Sequence, residues 1–259
     1  MKIHPINFLI VITVIVIGPI AKAGSTNVSV ATDHYTFVII HGATAGGWEW
    51  KPVGRFLTGD GHTVYRPTLT GLGERCHLSS PEIGLDTHIE DVVNLILFED
   101  LHDIVLCAHS YGGMVATGVM NRIPERIHSV IFLDAFVPED GESLHDITGH
   151  PEPESMVVDG MFSFPGTRES AKYPRNVPHP VKTFQQPVSF DNPAARSLPG
   201  TYIRFDPGKP EDPFNEPFLK SMQRAQARGW AIRTFPGHHV SHWQFPRQIA
   251  SLVEECLAP

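Results

Sequence analysis

A serine in a tight turn is the first group in this sequence whose type and surroundings suggest chemistry. Ser110 stands in the run His109-Ser110-Tyr111-Gly112-Gly113, after the apolar stretch DIVLCA and before the helix-like stretch MVATGVMN. A buried strand, a turn of small residues and a helix together raise a serine hydroxyl above the end of a sheet. Ala108 replaces the first glycine of the pattern Gly-x-Ser-x-Gly, and alanine is the smallest substitute. We predict that Ser110 is a nucleophile; the alternative is a serine that caps the helix.

Three histidines near the C-terminus compete for the role of general base. His238, His239 and His242 lie in the run GHHVSHW, between the last predicted strand and the last predicted helix. A base that serves Ser110 must come from a loop at the same end of the sheet. A His-x-x-His run could instead chelate a metal, but no carboxylate or thiol cluster accompanies it in the sequence. We therefore expect no metal and predict that His239 is the base.

The glycine-rich segment HGATAGGW, which follows the first predicted strand, suggests an oxyanion hole. The arrangement of strand, tight turn and helix around a reactive serine is called a nucleophile elbow. In folds that contain one, a backbone N–H of this loop and the N–H of the residue after the serine bind the negative charge that develops on the substrate's carbonyl oxygen. Those two amides would belong to Ala43 and Tyr111. The segment fits neither Gly-x-Gly-x-x-Gly nor a P-loop, which argues against a nucleotide site. We expect no cofactor.

Alternating strand and helix patterns position these groups. Apolar runs predict buried strands at residues 35–41, 63–67, 104–108, 127–134, 201–205 and 231–235. Helices are predicted around residues 48–57, from an N-cap at Asp86 to about 98, from about 110, and around 216–228 and 246–256. This alternation predicts an α/β fold with a mostly parallel central sheet and helices on both faces.

Residues 139–199 interrupt the alternation. This stretch is rich in Pro, Phe, Met and His, and its length is unusual for a plain connection. Its phenylalanines argue against a solvated loop, so we predict a cap over the end of the sheet. The candidate substrate-binding residues are Trp48, His109, Phe136, Met161, Phe162 and Phe164. Their side chains favour an apolar or aromatic substrate.

The N-terminus and the composition suggest where the protein works. Residues 1–23 combine Lys2, an apolar core at 6–17 and the small-x-small run Ala21-Lys22-Ala23, which predicts a cleaved signal peptide and a mature domain at 24–259. The alternative is an uncleaved anchor, but the core is shorter than the roughly 20 residues of a spanning helix. We expect a secreted or periplasmic protein without a stable membrane span. With 20 Lys+Arg against 28 Asp+Glu, no nucleic-acid partner is expected.

Taken together, the sequence resembles the α/β-hydrolase superfamily. It is most similar to the branch of plant methyl-salicylate-type esterases, hydroxynitrile lyases and bacterial carboxylesterases of the pyrethroid or aryl-ester type. The resemblance rests on the segments FVIIHGATAGGWEWKPV, HTVYRPTLTGLGERCHL, DTHIEDVV, AHSYGGMVATGV, PERIHSVIFLDAFVPEDG, LPGTYIRF and PGHHVSHWQFPRQIA. It implies a parallel core sheet, a cap between strands six and seven and cofactor-free ester hydrolysis. It also favours His239, because members carry a similar histidine stretch seven residues ahead of a proline, here Pro246.

The acid partner of the base is where the sequence departs from the family. Many members carry it a few residues beyond strand seven, where this chain has Gly208 and, two residues earlier, Asp206. Others carry it at the end of strand six, where Asp134 ends the run IFLD. Burial of a carboxylate is costly without a partner, and a catalytic histidine N–H is such a partner. We predict Asp134 as the acid, with Asp206 as the alternative and Asp212 third.

The resemblance implies a serine carboxylesterase for small to medium apolar or aromatic esters, with a small-molecule ester as its partner. One alternative is a hydroxynitrile lyase. Those enzymes resemble this chain but tend to have a lysine after the base and a hydroxyl residue after the first-strand histidine, where this chain has Val240 and Gly42. Another alternative is a non-catalytic ligand-binding homologue on the same fold.

Overall fold

A computed structural model describes residues 34–149, 151–167, 172–208 and 215–257. In chain order, the strands of these ranges are β1 (Thr36–Ile40), β2 (Thr63–Tyr65), β3 (Ile104–Ser110), β4 (Ile127–Ala135), β5 (Val157–Val158), β6 (Met161–Phe162), β7 (His179–Pro180), β8 (Gly200–Asp206) and β9 (Ala231–Pro236). Six of them form one sheet in the order β2-β1-β3-β4-β8-β9. Every neighbouring pair in this sheet is parallel. The predicted parallel core sheet is confirmed.

Helices connect these strands. They are α1 (Lys51–Gly59), α2 (Leu85–Phe98), α3 (Gly112–Arg122), α4 (Leu144–Thr148), α5 (Lys182–Gln185), α6 (Pro193–Arg196), α7 (Asn215–Ala227), α8 (Ser241–Gln244) and α9 (Pro246–Glu255). Short segments of 3-10 helix occur at Gly47–Trp50, Gly73–Leu78, Pro124–Arg126 and Glu154–Met156.

The central strands are buried on both faces, and alternate residues separate two cores. Along β3, Leu106 and Ala108 pack into the core shared with α2, α3 and α7. Val105 and Cys107 face the opposite core, which α1 and α9 complete. Because both faces of this strand are buried, its sequence is a continuous run of apolar residues instead of an alternation of apolar and polar residues.

Helix α2 differs from its prediction at the N-terminus. It begins at Leu85, and the extended Gly84 is the N-cap residue in place of Asp86. Asp86 lies in the first turn, where a carboxylate is favoured by the helix dipole, and it pairs with Arg122. Near the C-terminus of the helix, Leu97 is 40% exposed.

Residues 139–199 contain secondary structure of their own. Strands β5, β6 and β7 form an antiparallel sheet, and the segment also contains the short helices α4, α5 and α6. Phe162, Phe184 and Phe190 are buried, whereas Phe164 is 37% exposed. The cap was predicted to follow the sixth strand. Within the described residues four strands, β1–β4, precede it, so the segment follows the fourth strand of the central sheet.

The predicted signal peptide at residues 1–23 lies outside the described residues. Among the helices that are described, none is long and apolar enough to cross a membrane. The three cysteines have free thiols: Cys76 is exposed, Cys107 buried and Cys256 half-buried.

Candidate active site

Ser110 ends β3 in a strained backbone conformation. Its φ is +54°, in the left-handed region that residues with a side chain rarely adopt. Helix α3 begins two residues later, at Gly112. The turn packs so closely that a Cβ on Gly113 would lie 2.0 Å from the carbonyl oxygen of Phe136. The small residues after Ser110 are therefore a steric requirement, as the sequence pattern predicted.

Asp134 and His239 meet at the same edge of the sheet. His239 Nδ1 lies 2.8 Å from Asp134 Oδ2, although the residues are 105 positions apart. Asp134 also has a positive φ, +44°, and its side chain is 2% exposed. An ionised carboxylate only accepts hydrogen bonds, so Nδ1 carries the proton and Nε2 keeps its lone pair. This is the tautomer that a general base requires.

Arg204, on the neighbouring strand β8, holds the other side of the carboxylate. Its buried guanidinium donates to Asp134 Oδ1, and a second nitrogen donates to Asn215 Oδ1 at 2.7 Å. The Phe205 amide also donates to Asp134 Oδ1, at 3.3 Å. Arg204 was not among the residues predicted from the sequence, although an arginine within the apolar run YIRF is a detectable signal. A buried arginine needs an acid nearby.

The alternative acid lies elsewhere. Asp206 is exposed, and its Oδ1 accepts a hydrogen bond from the Gly208 amide at 2.8 Å. Asp212 lies outside the described residues. Of the two aspartates that are described, Asp134 is the one hydrogen-bonded to His239.

His109 connects the end of β3 to the loop of the predicted base. Its Nε2 donates to the backbone oxygen of His239 at 2.8 Å, and the two ring centroids are 4.5 Å apart. This contact places His239 beside the residue that precedes Ser110. Among the described residues, no hydrogen bond joins the Ser110 hydroxyl to the imidazole of His239. Such bonds are often long before substrate binds.

The loop after β1 passes directly over Ser110. A Cβ added to Gly42 would lie 3.1 Å from the Ser110 Cβ, so the next residue, Ala43, is close to the nucleophile. Within the described part of the chain, the backbone amides of Ala43 and Tyr111 donate to no acceptor. Two free amides beside the serine are what the predicted oxyanion hole needs.

Contacts with the cap hold this loop. Thr44 has a φ of +63°, and its amide donates to Nδ1 of His179 at 3.1 Å. Its carbonyl accepts from the Val177 amide at 2.8 Å. Residues 139–199 therefore help to fix the conformation of the predicted oxyanion loop.

A buried histidine supports Tyr111. The Tyr111 hydroxyl bonds His88 Nδ1 at 2.9 Å, and His88 Nε2 bonds the Thr70 carbonyl at 2.9 Å. Because the carbonyl only accepts, Nε2 is protonated and Nδ1 accepts from the tyrosine. Burial lowers the pKa of His88 to about 4, so the ring is neutral near neutral pH.

The six predicted substrate-binding residues lie in different surroundings. Trp48 is half-buried and packs edge-on against Trp243, with centroids 5.6 Å apart. Phe136 is buried against Phe218. His109 is 2% exposed, below His239. The cap provides the rest: half-buried Met161, buried Phe162 and partly exposed Phe164. Their role in binding remains a prediction.

The fold brings a carboxylate close to the histidine run. No acidic residue lies beside these histidines in the sequence, but Glu49 lies beside His242 in the structure. Glu49 Oε1 lies 3.5 Å from His242 Nε2. With His109, these residues form a group whose ligand atoms all lie within 4.8 Å of one another.

Comparison with known proteins agrees with this architecture. The chain is 33% identical over 236 residues to the carbendazim hydrolyzing esterase of Nocardioides sp. (strain SG-4G), covering 83% of this chain and 96% of that protein. It is 31% identical over 109 residues to methylesterase 1 of Arabidopsis thaliana, covering 41% of each. An extracellular alpha/beta-hydrolase structure from a Paenibacillus species superposes with a TM-score of 0.67, at 25% identity, over 86% of this chain and 98% of that one.

These relatives support a hydrolytic enzyme of the esterase type. The model of the alpha/beta hydrolase family matches residues 37–252. That range includes all of β1 except Thr36, and it contains the Ser110 turn, Asp134, the cap and His239. Since the match covers most of the chain, the protein belongs to the alpha/beta hydrolase family.

Proposed function

We propose that the protein is a serine carboxylesterase that acts through an acyl-serine intermediate. The observation that carries the proposal is the Asp134–His239 hydrogen bond at the edge of the sheet where Ser110 is held at a φ of +54°. A nucleophile, a base and an acid that orients the base are the parts that acyl transfer requires.

In the first half of the reaction, His239 Nε2 removes the proton of Ser110 while the serine oxygen attacks the ester carbonyl. The carbonyl oxygen becomes an oxyanion, and the free amides of Ala43 and Tyr111 donate to it. The Asp134 carboxylate stabilises the imidazolium that forms. The imidazolium then gives its proton to the leaving alcohol, and the acyl group stays on Ser110.

In the second half, water replaces the alcohol. His239 removes a proton from water as it attacks the acyl-serine, and a second tetrahedral oxyanion forms. Its collapse releases the carboxylic acid and returns the proton to Ser110. No step requires a group beyond the side chains and amides named here.

We infer an apolar or aromatic ester of small to medium size as the substrate. Aromatic side chains of the cap support this inference. Phe162 contacts Phe184 and Phe164, with centroids 5.8 Å and 4.9 Å apart, and Phe184 contacts Tyr111 at 5.4 Å. Apolar walls with few polar groups favour such ligands. The names of the esterase relatives are consistent with this class.

The decisive experiment is a panel of p-nitrophenyl esters of increasing acyl length, measured on the wild type, Ser110→Ala and Ser197→Ala. Ser197 is exposed and serves as the control. We expect turnover by the wild type and Ser197→Ala and a loss of several orders of magnitude in Ser110→Ala. A fluorophosphonate should label Ser110. Turnover that survives in Ser110→Ala would exclude the scheme. An inert, unlabelled protein would favour the binding or lyase alternatives, and mandelonitrile cleavage tests the lyase.

We also propose that the protein is secreted or periplasmic, on the strength of the signal-like residues 1–23. N-terminal sequencing of the exported protein should begin at Gly24. A chain recovered from the cytoplasm with Met1 intact would contradict this localisation.

A further inference from the structure

The proposed steps of ester hydrolysis use no group of a neighbouring cluster of three polar side chains. Glu49 comes from the 3-10 helix after β1, His109 from the end of β3 and His242 from α8. One ligand atom from each lies within 4.8 Å of those of the other two. The fold therefore gathers two imidazoles and a carboxylate from three distant parts of the chain.

Three imidazole nitrogens of this cluster form no hydrogen bond within the described residues. The Nδ1 atoms of His109 and His242 are buried without a hydrogen-bond partner, and His242 Nε2 has an ion-pair contact of 3.5 Å with Glu49 Oε1 but no hydrogen bond. His242 is 0% exposed and His109 is 2% exposed. Buried polar atoms are rarely left unsatisfied, and an unfilled ion site is one reason for such exceptions.

The tautomer of His109 suits a metal ligand. Its Nε2 lies 2.8 Å from the backbone oxygen of His239, which can only accept, so Nε2 carries the proton. Nδ1 therefore keeps its lone pair, which is available to a metal ion. A metal-binding histidine commonly donates its other N–H to a backbone carbonyl in this way.

The second histidine is held in place by an aromatic ring. His242 stacks on Trp50 with centroids 4.4 Å apart and an interplanar angle of 9°. Its Nε2 lies 3.5 Å from Glu49 Oε1. Two ligands on one tetrahedral zinc are separated by about 3.4 Å, as follows from the usual zinc–ligand distances.

The cluster is buried but has an approach from solvent. The side chain of Glu49 is 13% exposed, whereas that of His242 is fully buried.

We propose that Glu49, His109 and His242 form a binding site for one divalent transition-metal ion of the zinc class. Two imidazoles and one carboxylate are a ligand set that Zn²⁺ accepts, with the fourth position left to water. The ion would join the loop after β1, the end of β3 and α8. Because His109 donates a hydrogen bond to the backbone oxygen of His239, the bound ion would also stabilise the position of the loop that carries the proposed base, His239.

The test is a calorimetric titration of the chelator-treated, dialysed protein with ZnCl₂. We expect one Zn²⁺ per chain, with affinity that falls by more than about tenfold in Glu49→Gln and in His242→Asn. His238→Asn is the matched control, because His238 is an exposed histidine of the loop before α8 and its loss should leave the affinity unchanged. Saturable binding that is equal in Glu49→Gln and the wild type would overturn the assignment.

A second readout does not depend on the variants. Co²⁺ added to the wild type should give the intense visible absorption of a four-coordinate site, and Zn²⁺ should displace it. Weak six-coordinate absorption, or no binding at one equivalent, would overturn the proposal. Neither measurement uses esterase activity, so the metal site and the proposed reaction can fail independently.

Discussion

Arg204 and Asp134 form a buried ion pair that leaves one carboxylate oxygen to the proposed base. The two side chains are 7% and 2% exposed, and they lie on the adjacent strands β8 and β4. Arg204 donates to Oδ1, while Oδ2 lies 2.8 Å from His239 Nδ1. The scaffold therefore fixes the carboxylate from one side, and the imidazole is oriented from the other.

The first prediction concerns the acid. Asp134→Asn should lower kcat by roughly 10³–10⁴, because an amide that donates to Nδ1 forces the proton onto Nε2 and removes the base. The measurement is kcat for a p-nitrophenyl ester under saturating conditions.

Asp206→Asn is the matched control for this measurement. Asp206 is exposed and accepts a hydrogen bond from the Gly208 amide. The kcat of the Asp206→Asn variant should therefore stay within about twofold of the wild-type value. If Asp206→Asn were the crippled variant and Asp134→Asn the active one, the acid would have to be reassigned.

The second prediction concerns stability. Arg204→Met should reduce the free energy of unfolding by about 3–5 kcal/mol, because it leaves the buried Asp134 charge without its cation. Urea denaturation monitored by fluorescence measures this loss.

Arg247→Met provides the comparison, since Arg247 also pairs with an aspartate, Asp60, but at the surface. Its side chain is 50% exposed and that of Asp60 is 32% exposed. A pair in such a position contributes up to about 1 kcal/mol. Equal losses in the two variants would show that burial does not set the strength of the Arg204 pair.

The third prediction concerns pH. Burial lowers the pKa of His88 to about 4 in the folded protein, from its ordinary value of 6.5. When pH falls below 6.5, the unfolded chain binds a proton that folded His88 does not yet bind. Stability therefore decreases from about pH 6.5 down to about pH 4 and levels off below both values. In His88→Gln this contribution is absent.

The expected result is a smaller loss of unfolding free energy between about pH 7 and about pH 4.5 in His88→Gln than in the wild type, by about 2 kcal/mol. Urea denaturation at several pH values gives both slopes. His128→Gln, at an exposed histidine, should follow the wild type. If the free energy of unfolding decreased equally with falling pH in the wild type and in His88→Gln, the neutral buried His88 would not be a source of the protein's loss of stability in acid.

Local patterns were sufficient for the elements that carry the site. Nearby residues in the sequence are enough to predict the strand before Ser110, the turn of small residues after it and helix α3. Buried strands need apolar runs, and the turn has no room for a Cβ at Gly113. Asp134 could be predicted for a related reason. A carboxylate at the end of a buried strand requires a partner, and His239 is that partner in the structure.

The boundaries of α2 show where local reasoning fails. Asp86 is a good N-cap by residue type, yet the helix begins one residue earlier, at Leu85. Leu85 is fully buried and Asp86 pairs with Arg122 of α3. Packing against α3 therefore outweighed the intrinsic capping preference.

The strands of the central sheet, the turn at Ser110 and the histidine loop could be predicted from local hydrophobicity and backbone sterics. The pairing of Arg204 with Asp134 and the approach of Glu49 to His242 could be found only in the folded chain. Those contacts depend on which strands are neighbours and on how the loops at one edge of the sheet pack. Neither is encoded in the spacing of the residues, because the order of strands in the sheet differs from their order along the chain.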